Sequence, residues 1–154
     1  MAIKSFQGRR KKPENEEVPL RVRDYMTKKL ITFSPEQSVE EVIEELIRYK
    51  ISGGPVVNEK NELVGIISEG DCIRHISESR YHNLPGEIRK VEQHMAKNVE
   101  TIDGDMNIFD AANKFLNDRR RRFPIVDEGV LVGQISQKDI LKATLSLKSQ
   151  NWKK

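Results

Sequence analysis

The chain of 154 residues nearly superimposes on itself, and that repetition limits its fold more than any other feature. A shift of 69 positions places Val22 on Val91, Met26 on Met95, Lys28 on Lys97, Thr32 on Thr101, Pro55 on Pro124, Val57 on Val126 and Glu59 on Glu128. The second turn is one residue shorter, and beyond it the shift is 68. Leu63-Val64-Gly65 then falls on Leu131-Val132-Gly133, Ile67 on Ile135, Ser68 on Ser136 and Asp71 on Asp139. Thirteen of the 52 positions from Val22 to Ile73 are identical, and most other pairs keep their apolar or polar character. A duplication accounts for this better than chance. One unit of about 50 residues buries too little surface to be secure alone. Two copies are therefore expected to pack together about a pseudo-twofold axis, leaving two equivalent clefts between them.

Each copy reads as β-α-β-β-α. Leu30–Phe33 is a short β-like run ended by Ser34-Pro35, and Val99–Ile102 is its counterpart. Ser38 opens an amphipathic helix, with Glu41 three residues on as a capping box. Its apolar stripe is Val39, Val42, Ile43, Leu46 and Ile47; the second copy offers Ile108, Ala111, Ala112, Phe115 and Leu116 after Asn107. Pro55-Val56-Val57, the polar turn 58–61 and Leu63–Ile67 read as a hairpin, with the tighter turn Asp127-Glu128-Gly129 in the second copy. A last helix runs from Ser68 to about Ser77 and from Ser136 to about Leu147. The expected division is a polar, basic tail over 1–19, repeats over 20–80 and 91–147, a linker over 81–90, and a basic tail over 148–154.

Charge and composition remove several classes of function. The formal net charge is +3, but it is carried by the ends. Residues 1–17 hold five basic and three acidic groups, and residues 142–154 hold four lysines and no acid. The stretch 18–141 keeps 18 basic and 21 acidic groups, so a basic nucleic-acid-binding core is not indicated. No apolar stretch approaches the ~20 residues of a membrane helix, and the N-terminus has no hydrophobic signal core. A single cysteine, Cys72, excludes an internal disulfide and suits a reducing cytoplasm. It falls on an apolar helix face and reads as an inert core residue. His75, His82 and His94 stand apart with no metal-ligand spacing. No nucleophile–base pair, P-loop, dinucleotide fingerprint or metal cluster is visible, so neither a catalytic residue nor a catalytic cofactor is expected.

Two copies bearing Gly65-Ile66-Ile67-Ser68-x-x-Asp71 and Gly133-Gln134-Ile135-Ser136-x-x-Asp139, with Pro55-Val56-Val57 and Pro124-Ile125-Val126, resemble a tandem pair of CBS domains (a Bateman module). The resemblance covers roughly residues 20–147. It implies an α/β (α+β) fold of two β-α-β-β-α repeats packed with pseudo-twofold symmetry, and a regulatory module that binds AMP, ADP, ATP or S-adenosylmethionine between the repeats. It further implies a homodimer formed through the helices and a regulated enzyme or transporter as partner. Family sites mix both copies. One cleft would combine Ser68 and Asp71 with Arg121, Arg122 and Pro124. The other would combine Ser136 and Asp139 with Ser52, Gly53, Gly54 and Pro55. Thr32 and Thr101 fall where the family lines its adenine or phosphate pocket, and Ile66 and Gln134 where an apolar residue packs on the base. Gln134 departs from that pattern.

The residues support this chemistry independently. A serine at a strand-to-helix junction sits among free backbone N–H groups that favour an anion. An ionised aspartate one turn on can accept both hydroxyl hydrogens of a ribose. The planar forks of Arg121 and Arg122 suit phosphate oxygens. The first cleft, the one with arginines, is expected to be the tighter. Simpler readings exist: Ser-x-x-Asp also makes a plain helix cap, and Arg119-Arg120-Arg121-Arg122 also makes a solvated helix end. Two further functions compete with nucleotide sensing. One is a ligand-independent protein-interaction adaptor. The other is a nucleic-acid binder using its basic tails, Arg9-Arg10-Lys11-Lys12 among them. Trp152, in the polar tail, is a candidate for docking on the body or on a partner.

Overall fold

The computed structural model describes residues 20–82 and 89–152. The tail 1–19, most of the linker (83–88), the last two lysines and the Trp152 side chain lie outside the described residues. The order of elements is α1 (Val39–Tyr49), β1 (Gly53–Val57), β2 (Leu63–Ser68), α2 (Glu69–His82), α3 (Val91–His94), β3 (Ile102–Asp103), α4 (Ile108–Asp118), β4 (Arg122–Asp127), β5 (Val130–Ser136) and α5 (Gln137–Trp152). A 3-10 turn at Val22–Asp24 precedes α1. The expected α+β repeat is present twice.

Local chemistry starts the long helices where the residue types require. The Ser38 hydroxyl accepts the Glu41 N–H, and the Glu41 carboxylate accepts the Ser38 N–H, closing the capping box of α1. The Asn107 side chain accepts from the Phe109 N–H at 2.7 Å and opens α4. The two helices also end alike, with Lys50 and Arg119 in the left-handed conformation. Helices α2 and α5 outrun their expected ends by several residues. The supposed C-terminal tail is therefore helical backbone as far as Trp152.

The first strands are shorter than expected. Leu30–Phe33 contributes a single parallel bridge, Phe33 to Val56, and of Val99–Ile102 only Ile102 enters a strand, the two-residue β3. Proline explains the truncation. Phe33 donates to the Pro55 carbonyl and accepts from the Val57 N–H, so the next bond of this parallel ladder would come from the nitrogen of Pro55. Proline has no N–H to give. Pro124 imposes the same stop on β3, which pairs with β4 through Ile102–Ile125 and Asp103–Val126. The hairpins β1–β2 and β4–β5 are antiparallel and share a bulge at equivalent positions, Val56/Val57 and Ile125/Val126. The shorter second turn has Glu128 at φ 51° and Gly129 at φ 85°. The hairpins meet at their turns, where the Leu63 N–H donates to Gly129 and the Leu131 N–H to Asn61.

Each repeat lends its leading segment to the other. Residues 20–27 run along the second repeat: the Val22 and Arg23 N–H groups donate to Met106 and Gly104, and Thr27 exchanges both backbone bonds with Gln134. Residues 89–96 run along the first: Val91 and Glu92 donate to Gln37 and Pro35, and Ala96 exchanges both bonds with Ile66. The cores follow this crossing. Val22 is buried with Ile102, Phe115, Phe123 and Ile135, whereas Val91 is buried with Phe33, Val42, Val56 and Ile67. The two physical units are therefore each assembled from both sequence repeats.

This crossing explains the motif glycines. A β-carbon on Gly65 would lie 2.5 Å from the Met95 sulfur and 2.8 Å from the Ala96 carbonyl oxygen. One on Gly133 would lie 2.6 Å from the Met26 sulfur and 3.0 Å from the Thr27 oxygen. Two members of the predicted core stripes fall elsewhere: Ile47 is 73% exposed and Leu116 is 76% exposed. They join Ile73, Ile76, Leu141 and Leu145 as exposed apolar side chains of α1, α2, α4 and α5. The stripe is wider than the surface the sheets can cover. Two histidines that stand apart in sequence also come together, the His75 and His94 rings lying edge-on at 5.0 Å. The crossing segment supplies His94, so their separation along the chain hides the pair.

Two outcomes follow for stability. Gly65→Ala should cost about 1–3 kcal/mol in urea unfolding because the Ala96 backbone must move. Gly70→Ala, with only the Ser68 hydroxyl within 4 Å at 3.7 Å, should cost nothing. Burial, followed by the neighbouring His75, holds the His94 imidazole below its usual range, against the opposite pull of Glu78 and Asp71. Above the ordinary value of about 6.5 both folded and unfolded chains leave it neutral. As pH falls below that, the unfolded chain takes the proton first and stability declines. His94→Gln should flatten that part of the curve in pH-dependent urea melts; an unchanged slope would remove His94 as its source.

Candidate functional site

Both hairpins end at a serine that turns directly into a helix, and both serines cap it. The Ser68 N–H donates to Asp71 Oδ2 at 2.9 Å and the Ser68 hydroxyl to the same oxygen at 3.1 Å. The Asp71 N–H returns to the hydroxyl at 3.4 Å. In the second repeat the Ser136 N–H donates to Asp139 Oδ2 at 2.9 Å and the Asp139 N–H to the Ser136 hydroxyl at 3.2 Å. The helix-cap reading of Ser-x-x-Asp is therefore realised twice. Each cap uses one carboxylate oxygen, and the Ser68 hydroxyl adds a second bond to that oxygen in the first repeat alone among the described residues. Asp71 is buried, and its Oδ1 accepts from Arg74 Nη1 at 3.0 Å. Asp139 is half-buried, and its Oδ1 accepts from no described residue.

The strand pairing places further groups around these caps. Arg122 stands opposite Ser136, and Gly53 opposite Ser68. A β-carbon on Gly53 would lie 2.7 Å from the Ile67 carbonyl oxygen, so glycine lets the two strands close tightly here. The carbonyls of Ser52 and Arg121 accept the first N–H of α2 and α5 respectively, which removes one open donor from each helix end.

A crevice of about 170 Å³ opens between the repeats. Thr27, Lys29, Leu30, Ile31, Ile51, Gly53 and Pro55 line it from the first repeat, and Arg122 and Gln134 from the second. Gly53, Pro55, Arg122 and Gln134 thus come together as walls of one hollow, with Ser136 beside Arg122 on the neighbouring strand. The strand register sets Arg122 against Ser136 and Gly53 against Ser68, each within its own repeat, whereas the expected grouping placed Arg122 with Ser68 and Asp71 and Gly53 with Ser136 and Asp139.

Other predicted residues lie apart from this hollow. Thr32 lines a separate cavity of about 600 Å³ formed within the first repeat, with Ser34, Gln37, Asn58 and Lys60. Thr101 is half-buried just before β3, and Arg121 is exposed. Gly54 is buried, the position of its missing β-carbon 2.9 Å from the Phe33 ring. Pro124 is buried opposite Gln134, and the Ile66 backbone is bonded to Ala96. Arg120 pairs with Glu100 at 3.3 Å, which leaves it a surface role. Lys29 and Thr27 were missed by sequence reasoning. Their segment carries no motif, and only the crossing of residues 20–27 onto the second repeat brings it to the crevice.

Two remaining features bear on chemistry. Cys72 is buried, and burial, followed by the Asp71 carboxylate, pushes its thiol above the ordinary range, so it is a poor nucleophile. Among the described residues no group of three His, Cys, Asp or Glu could hold a metal ion, and no helix is long and apolar enough to cross a membrane. Ile43, Ile47, Ile73 and Ile76 line an apolar groove of about 650 Å³ between α1 and α2.

Comparison with known proteins gives a consistent picture. The CBS domain family model matches residues 22–78 and 88–146. The chain is 36% identical over 120 residues to the inosine-5'-monophosphate dehydrogenase of Methanocaldococcus jannaschii, covering 77% of this chain but 22% of that protein. It is 29% identical to protein MJ1225 of the same organism, covering 79% of this chain and 41% of that one. It therefore spans less than half of either relative. Among solved structures, CBSX2 in complex with AMP superimposes with a TM-score of 0.74 at 28% identity, covering 84% of this chain and 99% of that one. The CBS domain pair of protein MJ0100, in complex with 5'-methylthioadenosine and S-adenosyl-L-methionine, superimposes with a TM-score of 0.67 at 27% identity, covering 83% and 98%. With both repeats matched and the paired architecture shared, the chain belongs to the CBS domain family as a tandem pair.

Proposed function

We propose that this chain is a non-catalytic regulatory module that binds an adenosine ligand carrying phosphate, with AMP as the simplest candidate, in the crevice between its repeats. The observation that carries this reading is that Arg122 and Lys29, from different repeats, line one hollow beside the strand pair that ends at the Ser136–Asp139 cap. In this reading Asp139 Oδ1 accepts from the ribose hydroxyls and the two cations meet the phosphate. Gly53 and Pro55 give the backbone close approach, and Gln134 offers its amide where the family places an apolar side chain. The AMP held by the similar CBSX2 supports the ligand class. S-adenosylmethionine is the weaker candidate, because its sulfonium carries the same charge as Arg122 and Lys29. The crevice is smaller than the ~300 Å³ at which small-molecule pockets usually begin, so a nucleotide would part its walls or stay half in solvent.

A second part of the proposal concerns association. Ile47, Ile73, Ile76, Leu116, Leu141 and Leu145 are each more than half exposed on the paired helices of the two repeats. Monomeric soluble proteins rarely leave large contiguous apolar patches open. We assign this surface to a homodimer, acting in the cytoplasm on a separate enzyme or transporter. A purely monomeric species at micromolar concentration in sedimentation velocity would contradict the dimer.

Ligand that binds only the folded state raises its melting temperature by mass action. AMP at millimolar concentration should therefore raise it, and S-adenosylmethionine should do so less. Arg122→Ala should weaken AMP binding about tenfold in titration calorimetry, the loss expected for one charge-assisted hydrogen bond, and should leave adenosine binding nearly unchanged. No shift with AMP, ADP, ATP or S-adenosylmethionine would instead favour a ligand-independent adaptor, which the exposed helix faces would serve.

A further inference from the structure

The two repeats carry the same Ser-x-x-Asp motif, yet among the described residues only one of its aspartates has a charged partner. Arg74 follows Asp71 by three residues on α2 and donates Nη1 to Oδ1 at 3.0 Å. Ser68 takes up Oδ2 through both its N–H and its hydroxyl. Both oxygens of the buried Asp71 carboxylate are thereby engaged within the chain. The equivalent of Arg74 in the second repeat is Lys142, which forms no ion pair with Asp139 among the described residues. A guanidinium presents N–H donors to a carboxylate much as a ribose presents paired hydroxyls, so the two compete for the same lone pairs.

We propose that Arg74 is an internal occupant of the Asp71 cleft, and that the chain consequently fills its Asp139 side first. This rests on the reading that the chain binds an adenosine ligand. Arg74 acts through Asp71 and is a specificity-determining residue, because a ligand entering that side must first displace it. The Arg74 side chain is 58% exposed and swings into water at modest cost. The handicap it imposes is therefore about three- to fivefold in affinity, the scale of a partly exposed ion pair.

The sign of the effect makes it testable. Removing a positive charge ordinarily weakens the binding of an anion, whereas removing this one should strengthen it. Titration calorimetry with AMP on the full chain should show the main site lost in Asp139→Ala and kept in Asp71→Ala. In the Asp139→Ala background, adding Arg74→Ala should tighten the residual binding about three- to fivefold. Arg74→Gln, which keeps the stem and loses the charge, should do the same, and Lys142→Ala in the wild type should have no such effect. Melting temperatures without ligand report whether each variant is folded. Wild-type binding with residual affinity unchanged, weakened or undetectable after Arg74→Ala or Arg74→Gln would overturn the role of Arg74. Equal losses in the two aspartate variants would do the same. Absence of AMP binding in the wild type and in every variant would overturn the nucleotide reading itself, and this inference with it.

Discussion

The structure depends on a crossing. Each repeat leaves part of its core and several of its backbone hydrogen bonds to be completed by the other. Val22 completes the core beneath α4, and Val91 completes the core beneath α1. Thr27 pairs with Gln134, and Ala96 with Ile66. Such an exchange leaves neither half able to bury its interior alone, which is how two units of marginal size form one stable body. It also explains why glycine recurs at the start of the Gly-x-x-Ser motif. Gly65 and Gly133 are the points where a crossing segment lies directly on a strand, and a β-carbon there would collide with backbone or with a methionine sulfur.

The same crossing makes the crevice. Thr27 is bonded directly to Gln134, and Lys29, Leu30 and Ile31 follow it back toward the first hairpin, so this segment lines the crevice together with Gly53, Pro55, Arg122 and Gln134. A ligand in that gap would touch both repeats at once, which is what a module needs if binding is to alter how its halves are held. Gly53 borders the gap and also stands opposite Ser68. The repeats depart from symmetry at Arg74 against Lys142 and at Gly53 against Arg122.

Most of the framework was legible because it rests on local chemistry. The Ser38 and Asn107 caps, the hairpins and the buried Cys72 follow from residue type and spacing, and the structure contains each of them. The shortness of the first strands was legible in principle, since it follows from the missing N–H of Pro55 and Pro124, but β-like composition pointed the other way. Ile47 and Leu116 fit the helical stripe perfectly well and still face outward, because periodicity shows which face is apolar and not how much of it is covered. The site was legible only in part. Gly53, Pro55, Arg122 and Gln134 share one hollow, but the pairing of Arg122 with Ser136 comes from hairpin register. Lys29 and the His75–His94 pair come from contacts between segments far apart in sequence, which no single-chain pattern encodes.

A crystal structure grown with AMP tests most directly whether a phosphorylated adenosine ligand sits between the repeats on the Asp139 and Arg122 side. Density is expected in the crevice, with the sugar hydroxyls on Asp139 Oδ1 and the phosphate between Arg122 and Lys29. Density confined to the Asp71 cleft, or a nucleotide bound outside the space between the repeats, would contradict it.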